Sequence, residues 1–146
     1  MFNDLSSLRT PFIASDMLNL KDTALDHLTA TISIIHASSV FHLFDYDGQV
    51  AMGLKCVKLL KKTPGSMIFG RQAGAVTAHE ADSPRGDGKL YRHNEQSWKQ
   101  MWQEVIGPQT GTRWSIEVNM DAETPDWVAE RRVKGYGRAR FVCTLE

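Results

Sequence analysis

Polar side chains that could move protons or hold a charged group follow two apolar runs of the sequence. His36 and Ser38 come after the β-branched run at 31–35, and Arg71 follows the run at 66–70. In an open α/β sheet, ligands bind at the carboxyl ends of the strands, so we expect these side chains to share one edge. A histidine titrates near neutral pH and an arginine can stabilise a carboxylate or an enolate, which predicts acid/base chemistry there.

Further polar and aromatic residues extend this candidate site, because they could close over the strand ends. The candidate catalytic residues are His36, His42, Arg71 and His93. The candidate substrate-binding residues are Ser38, Ser39, Gln72, Tyr91, Arg92, Trp98 and Trp102. No metal site is expected, since the sequence has no CxxC or HExxH spacing.

Each candidate also has a structural interpretation. A histidine at a strand end can simply hydrogen-bond the backbone, and Arg71 can serve as an ion-pair partner on the helix layer. Asp16 can cap a turn, and Trp98 and Trp102 fit a helix core as well as a substrate wall. The sequence leaves these alternatives open.

Apolar periodicity predicts the elements that position these residues. Buried strands are expected at 12–14, 31–35 and 66–70, helices after Asp45 or Asp47 and after Asn94, and half-exposed antiparallel strands from Trp114 and Ala139. The first helix should bury Val50, Leu54, Val57 and Leu60, and the second Trp98, Met101, Trp102 and Val105 before it ends at Gly107. Loops are expected at 73–90 and 121–137. This order is typical of the later part of a doubly wound α/β domain.

Length and composition fit one globular domain over residues 1–146. The 146 residues include 17 lysines plus arginines and 17 aspartates plus glutamates. This balance gives no reason to expect nucleic acid or an anionic membrane as a partner, and no run approaches the ~18 apolar residues of a membrane span. Cys56 and Cys143 lie far apart in apolar stretches, which predicts buried free thiols in a reducing, cytoplasmic compartment.

Three sequence blocks resemble a known family. The segments 34–45 (IIHASSVFHLFD), 64–72 (PGSMIFGRQ) and 91–94 (YRHN) are similar, in order and spacing, to the C-terminal part of fungal class I S-adenosylmethionine-dependent methyltransferases of polyketide and meroterpenoid pathways. The similarity extends from about residue 12 to residue 146. It implies a truncated Rossmann-like class I methyltransferase fold, with a mixed sheet and a C-terminal antiparallel pair.

The resemblance also implies which residues would meet a cofactor. Asp16 matches the position that usually contacts the adenine amino group, and His36 and Ala37 match positions that line the cofactor from the fourth strand. The family's glycine-rich turn has no counterpart here, because no helix follows the Gly-Tyr-Gly segment at 135–137. We therefore expect no cofactor on the chain alone, and S-adenosylmethionine only if its site is completed in trans.

Three functional hypotheses follow. The first is an enzyme that has lost methyl transfer and performs cofactor-free acid/base chemistry, such as isomerisation, cyclisation or hydrolysis, on a polyketide- or terpenoid-derived small molecule. The second is a methyltransferase completed by another chain. The third is a non-catalytic accessory or interaction module.

The predicted fold also leaves one strand without a neighbour. In the family that the chain resembles, the first strand pairs with the fourth, so the strand around Ile34 would be an exposed apolar edge. Isolated chains avoid such edges by covering or pairing them. We therefore expect a homodimer with the strands around Phe12 and Ile34 at or near its interface.

Overall fold

The structure, a computed structural model, describes residues 12–84, 86, 88–120 and 136–146. Its helices are α1 (Tyr46–Leu59), α2 (Glu95–Gln100) and α3 (Gly107–Thr110), with a π-helical segment at Met101–Ile106 and 3₁₀ turns at Asp26–Leu28 and Phe41–Leu43. Its strands are β1 (Ile34–His36), β2 (Met67–Ala75), β3 (His79–Asp82), β4 (Lys89–Arg92), β5 (Trp114–Met120) and β6 (Tyr136–Leu145). Most of the predicted charged loop at 121–137 lies outside the described residues.

Four strands form the main sheet, in the order β1-β2-β6-β5. β1 runs parallel to β2, with Ile35 opposite Ile68, whereas β6 is antiparallel to both of its neighbours. β3 and β4 form a separate antiparallel hairpin. The parallel pair and the closing antiparallel pair confirm the predicted fold class, a mixed sheet of truncated Rossmann-like type.

The helices pack on one face of this sheet around an aromatic cluster. Trp98 is 1% exposed, and its ring centroid lies 5.3 Å from that of Phe41 and 4.6 Å from that of Phe141. Alternate side chains of the closing strands complete the core: Trp114, Val118, Ala139, Phe141, Cys143 and Leu145. Because each fully buried aromatic side chain contributes about 2–3 kcal/mol, this cluster supplies much of the stability.

Both cysteines belong to this core as free thiols, as predicted. Burial raises the pKa of Cys56 to about 12 and that of Cys143 well above its ordinary value. Neither thiol is therefore a reactive thiolate near neutral pH. Among the described residues, no helix has the length and apolar character to cross a membrane.

The start of α1 confirms the first predicted helix and identifies its cap. The Asp45 carboxylate accepts a hydrogen bond from the Gly48 backbone N–H at 2.8 Å. This bond satisfies one of the N–H groups that the first turn leaves unpaired. Asp47 lies inside the first turn instead.

The buried face of α1 differs from the predicted face. Val57 and Leu60 are buried as predicted, but Val50 and Leu54 are only half-buried. The side chains that take their place are Gln49, Met52, Lys55 and Cys56. Gln49 and Lys55 are polar, and each is paired with backbone carbonyls. A prediction from apolar residues alone therefore misplaces the buried face of this helix.

The second predicted helix is confirmed, but its end is not. Asn94 accepts from the Ser97 N–H at 2.8 Å, and the Ser97 hydroxyl accepts from the Asn94 N–H at 3.1 Å, which forms a capping box. The helical run continues past Gly107 and through Pro108 as α3. Gly111, with φ 65°, ends it.

Three other predictions are wrong. No strand forms at 12–14, where Phe12 is 70% exposed. The strand predicted at 31–35 is short and is not covered on both faces, because β1 is an edge strand and Ile34 is 57% exposed. The region 73–90, predicted to be a loop, contains the end of β2, all of β3 and the start of β4. Many side chains of the β3–β4 hairpin are polar, so its sequence lacks the apolar pattern from which a strand is predicted.

Gly70 determines how closely the chain after β1 approaches β2. A Cβ atom on Gly70 would lie 2.1 Å from the Ala37 carbonyl oxygen. We expect Gly70→Ala to lower the free energy of unfolding by about 1–3 kcal/mol, because the backbone must move apart. Urea unfolding measures this, with Ala73→Ser on the same strand as the control. Equal stability of Gly70→Ala and the wild type would contradict the close approach.

Candidate functional site

His36, Ser38 and Arg71 meet where β1 ends. The His36 Nε2 lies 2.7 Å from the Ser38 Oγ, and the Arg71 backbone N–H donates to the same oxygen at 3.3 Å. The His36 ring stacks on that of Phe69, with centroids 4.9 Å apart. The predicted proximity of these residues is confirmed, while their catalytic and binding roles stay predictions. His36 and Arg71 are exposed, so any charge they carry acts through water here.

The turn after β1 is fixed by β2. Ser39 has φ 59°, in the left-handed region that residues other than glycine rarely adopt. Its N–H donates to the Arg71 carbonyl at 2.7 Å, and the Ala37 N–H donates to the Phe69 carbonyl at 2.8 Å. These two bonds hold the turn, and they place its residues on the rim of the sheet.

A second group of candidate residues surrounds the buried ring of His93, which is 2% exposed. The ring centroids of Tyr91, Trp98 and Tyr46 lie 4.7, 5.3 and 5.9 Å from that of His93. The Nδ1 atom lies 2.9 Å from the Ser97 Oγ, whereas the buried Nε2 has no partner among the described residues. Because buried polar atoms are normally paired, Nε2 is a candidate to meet a ligand.

The electrostatics of this cluster favour an uncharged imidazole. Burial lowers the pKa of His93 to about 4, against a smaller opposing contribution from Ser97. When Nδ1 carries the hydrogen and donates to Ser97, the Nε2 lone pair is left to accept a proton. A neutral imidazole in that tautomer is the form that a general base requires.

The buried state of His93 predicts a loss of stability in acid. Its pKa is 6.5 in the absence of the fold and about 4 within it, so between these values the unfolded chain binds more protons. Stability should therefore fall by on the order of 3 kcal/mol as the pH drops from 6.5 to 4. Urea unfolding at several pH values measures this, and His93→Gln should decline much less. If the wild type and His93→Gln lost the same amount of stability, His93 would not be a buried neutral ring.

Two amide side chains, those of Gln49 and Gln72, are buried, and Gln49 contacts the backbone of the His93 cluster at Tyr91. Gln49 is fully buried, and its Nε2 donates to the carbonyls of Phe44 and Tyr91 at 3.0 and 2.9 Å. The Oε1 atoms of Gln49 and Gln72 are buried without partners among the described residues. Since side chains alternate along β2, the buried Gln72 and the exposed Arg71 lie on opposite faces of the sheet.

His42 and Arg92 form a separate contact, in which the Arg92 Nη1 donates to the His42 carbonyl. Burial, and secondarily the charge of Arg92, lower the pKa of His42. The four predicted catalytic residues therefore fall into two groups. His36 ends β1 and Arg71 lies within β2, and both are exposed, whereas His42 and His93 lie in more buried surroundings. The expectation of one shared edge is correct only for the first pair.

Trp98 and Trp102, predicted as substrate-binding residues, fill the core. They are 1% and 0% exposed, and their ring centroids lie 6.0 Å apart. The structure thus supports the alternative interpretation of these residues as core. Trp98 also forms one wall of the cluster around His93.

Asp16 lies on a loop that a buried lysine holds against α1. Lys55 is 2% exposed and donates through Nζ to the carbonyls of Asp16 and Asn19, at 2.7 and 3.1 Å. Its Nζ is also 3.8 Å from a carboxylate oxygen of Asp22. These oxygens replace the water that a buried ammonium loses. The exposed Asp16 carboxylate accepts from the Leu18 N–H at 3.0 Å, as in the turn-cap alternative.

The assignment of Asp16 and Ala37 to an S-adenosylmethionine site stays a prediction. Asp16 presents an exposed carboxylate on a fixed loop, and Ala37 is a small buried residue directly after β1. Among the described residues, no glycine-rich turn joins a strand to a helix in the way that the methionine part of the cofactor requires. Within the same residues, no group of three or more His, Cys, Asp or Glu side chains could hold a metal ion.

The sequence-based prediction missed three residues of these surroundings. Tyr46 and Gln49 lie three positions apart at the start of α1, where burial raises the pKa of Tyr46. Lys55 lies three positions after Met52 on the buried stripe. The sequence did carry a signal for such residues. A polar residue at helical spacing from apolar ones favours a buried side chain that is paired with a specific partner.

Solved structures define the class of fold. A methyltransferase from Burkholderia thailandensis, described with bound 1,6-didemethyltoxoflavin and S-adenosylhomocysteine, matches 92% of this chain and 50% of its own length, with a TM-score of 0.57 and 9% identity. A putative methyltransferase from Bacillus halodurans matches 94% of this chain and 78% of its own, with a TM-score of 0.54 and 10% identity. The fold is that of the S-adenosylmethionine-dependent methyltransferases.

Curated relatives define the family more narrowly. O-methyltransferase phiE from a fungal species (strain ATCC 74256) is 37% identical in an alignment of length 144 that covers 94% of this chain and 47% of phiE. O-methyltransferase atr3 from Stereocaulon alpinum is 30% identical over 94% of this chain and 37% of its own length. Asnovolin E/Chermesin D methyltransferase nvfJ from Aspergillus novofumigatus is 32% identical over 80% of this chain and 42% of its own. No model of a protein family matches the chain.

The predicted resemblance is therefore confirmed. The chain corresponds to a part, of C-terminal type, of the fungal class I methyltransferases of secondary metabolism. It spans less than half the length of these curated relatives.

Proposed function

We propose that this chain forms the acceptor-binding part of an S-adenosylmethionine-dependent O-methyltransferase that acts on a small molecule of fungal secondary metabolism. One observation carries the proposal: a buried, neutral His93 whose Nε2 has no hydrogen-bond partner among the described residues and whose ring packs against those of Tyr46, Tyr91 and Trp98. The similarity of the chain to two O-methyltransferases supports an acceptor whose nucleophilic atom is oxygen.

In this proposal His93 prepares the acceptor oxygen. The Nε2 lone pair accepts a hydrogen bond from an acceptor hydroxyl and takes its proton as the oxygen becomes nucleophilic. Tyr46 and Tyr91 are half-buried and their rings pack against that of His93, and in this proposal movement of these rings opens a path for the acceptor. The cofactor, when bound, supplies an electrophilic methyl group, and exclusion of water protects it from hydrolysis.

His36 and Ser38, at and just after the end of β1, have a different role in the proposal. His36 and Ser38 are hydrogen-bonded to each other and lie beside Ala37, where the family resemblance places the cofactor. Their contact with the backbone of Arg71 fixes the turn that would line the cofactor. They therefore position the rim of the site and need not move a proton.

A second candidate function uses the same histidine without a cofactor. A neutral imidazole base is already present among the described residues, whereas a complete cofactor site is not. Proton abstraction by Nε2 could then drive isomerisation, cyclisation or hydrolysis of a polyketide- or terpenoid-derived substrate. Consumption of a substrate in the absence of S-adenosylmethionine distinguishes this candidate from methyl transfer.

The test is an assay of methyl transfer from labelled S-adenosylmethionine to a panel of phenols and carboxylic acids. The chain is assayed alone and together with the complementary segment, defined as the part of phiE that this chain does not match. We expect label in at least one acceptor only when both are present. Acceptor consumed without label would favour cofactor-free chemistry, and no reaction at all would favour a non-catalytic module.

A further inference from the structure

The two buried glutamines differ in what holds their amide groups. Gln49 has a structural task, because its Nε2 donates to the carbonyls of Phe44 and Tyr91 at 3.0 and 2.9 Å and so ties α1 to two other segments. Gln72 is 3% exposed, and its Oε1 is buried without a hydrogen-bond partner among the described residues. Because an unpaired buried polar atom lowers stability, Gln72 needs an explanation other than support of the fold.

The side chain of Gln72 leaves β2 between two places where another segment of the chain lies against the strand. Side chains alternate along a strand, so Gln72 shares its face with Gly70 and Gly74. A Cβ atom on Gly70 would lie 2.1 Å from the Ala37 carbonyl oxygen, and one on Gly74 would lie 2.8 Å from the His93 carbonyl oxygen. Gln72 therefore lies between the turn after β1 and the backbone of His93.

The neighbours of Gln72 on this face of the sheet have little or no side chain. Gly70 and Gly74 flank it along β2, and Ala139 is its partner on β6. None of these three can pair with the amide through a side chain. A glycine inside a strand is typical of a place where a ligand or another backbone approaches closely, and here two of them flank one polar side chain.

We propose that Gln72 recognises the acceptor by binding a second polar group of the molecule whose hydroxyl meets His93. This role rests on the proposed function and adds a second recognition residue to His93. An amide offers an acceptor and two donors in one plane, so it matches a group with a donor and an acceptor side by side, such as a carboxamide. An ionised carboxylate has acceptors alone and would leave Oε1 unpaired.

The spacing along β2 agrees with one small ligand for both residues. Residues two positions apart in a strand are about 7 Å apart, so Gln72 is about that far from Gly74, against which the His93 backbone lies. A single aromatic ring with two polar substituents spans a distance of this order.

The first test compares methionine variants of the two glutamines by thermal unfolding of the chain alone. Methionine fills a similar volume and has no group that requires a partner. Gln49→Met should lower the Tm by about 3 °C or more, because it removes the bonds to Phe44 and Tyr91. Gln72→Met should leave the Tm unchanged or raise it by up to about 5 °C, because it removes an unpaired atom. If Gln72→Met lowers the Tm as Gln49→Met does, Gln72 supports the fold and the inference is wrong.

The second test measures binding of two probes, 3-hydroxybenzamide and phenol, by NMR titration of the chain without cofactor. Both probes carry a phenolic hydroxyl, and only the first adds a carboxamide. We expect the wild type to bind 3-hydroxybenzamide about 10-fold more tightly than phenol, and Gln72→Met to lose this preference. Gln100→Met, which changes an exposed glutamine, should keep it.

The outcomes separate this role from the proposed function. A wild type without the preference, or a Gln72→Met variant that keeps it, would overturn the recognition role whatever the Tm values are. Binding that depends on Gln72, together with a failure to methylate any acceptor when the complementary segment is present, would refute the proposed function and leave the recognition role standing.

Discussion

His93→Phe is expected to lower kcat/KM for methyl transfer by about 10²–10⁴-fold in the complex with the complementary segment. Phenylalanine keeps a ring of similar size between Tyr91 and Trp98 but has no Nε2 to accept the proton of the acceptor. The rate is measured with the labelled cofactor and whichever acceptor of the panel is methylated. The loss should appear mainly in kcat, because proton removal belongs to the chemical step.

Two controls separate this role from a structural one. His27→Phe changes an exposed histidine and should leave the rate unchanged. Urea unfolding of His93→Phe at neutral pH should show that the fold survives, since the replaced ring is neutral there. A His93→Phe enzyme that folds and retains full activity would remove the histidine from the mechanism and, with it, the observation on which the proposed function rests.

Trp98→Ala is expected to lower the free energy of unfolding by about 3–5 kcal/mol. The indole is 1% exposed and contacts rings from three parts of the fold, Phe41, Trp102 and Phe141. Its removal leaves a cavity that these neighbours cannot fill without moving. Since a domain of this size has a total stability of only about 5–15 kcal/mol, the variant should be close to unfolding at 37 °C.

The matched measurement is equilibrium urea unfolding of Trp98→Ala and Val76→Ala. Val76 is 71% exposed, so its truncation should change the free energy of unfolding by no more than about 0.5 kcal/mol. A loss of less than about 1 kcal/mol for Trp98→Ala would mean that the helices do not pack on the sheet as described.

Features that depend on local spacing were predictable from the sequence. The helix after Asn94 has a cap residue and aromatic side chains at helical spacing, and the burial of Trp98, Met101 and Trp102 follows from that pattern, whereas Val105 is only half-buried and Ile106 is buried instead. The closing strands alternate between apolar and polar residues, so the buried positions of Val118 and Phe141 follow directly. His36, Ser38 and the backbone of Arg71 meet because β1 is parallel to β2, as predicted, although β2 continues past Arg71 and does not end there.

Features that depend on distant partners were not predictable. The strands of the hairpin β3–β4 carry charged residues such as Glu80 and Asp82, and their pairing with each other compensates for weak local patterns. The buried Lys55 requires carbonyls from a loop more than thirty residues earlier, at Asp16 and Asn19. The ring centroid of Tyr46 lies 5.9 Å from that of His93, although no sequence spacing places it there.

The side of the sheet to which a residue points was the other source of error. Arg71 and Gln72 are adjacent in sequence and were expected to share one site, but β2 continues through both, so they face opposite ways. The strand was predicted to end at residue 70, whereas β2 ends at Ala75, so these two neighbours lie within the strand and cannot share one site beyond its end.

The most direct test of the central claim is ¹⁵N NMR of the imidazole rings in the assembled enzyme. Spectra are recorded without an acceptor and with the acceptor that the assay identifies, before it is methylated. We expect His93 to be neutral at pH 7, with Nε2 unprotonated, and its Nε2 resonance to shift on acceptor binding while that of His27 does not. If the acceptor is turned over but leaves the Nε2 resonance of His93 in place, the acceptor binds elsewhere and the account is contradicted.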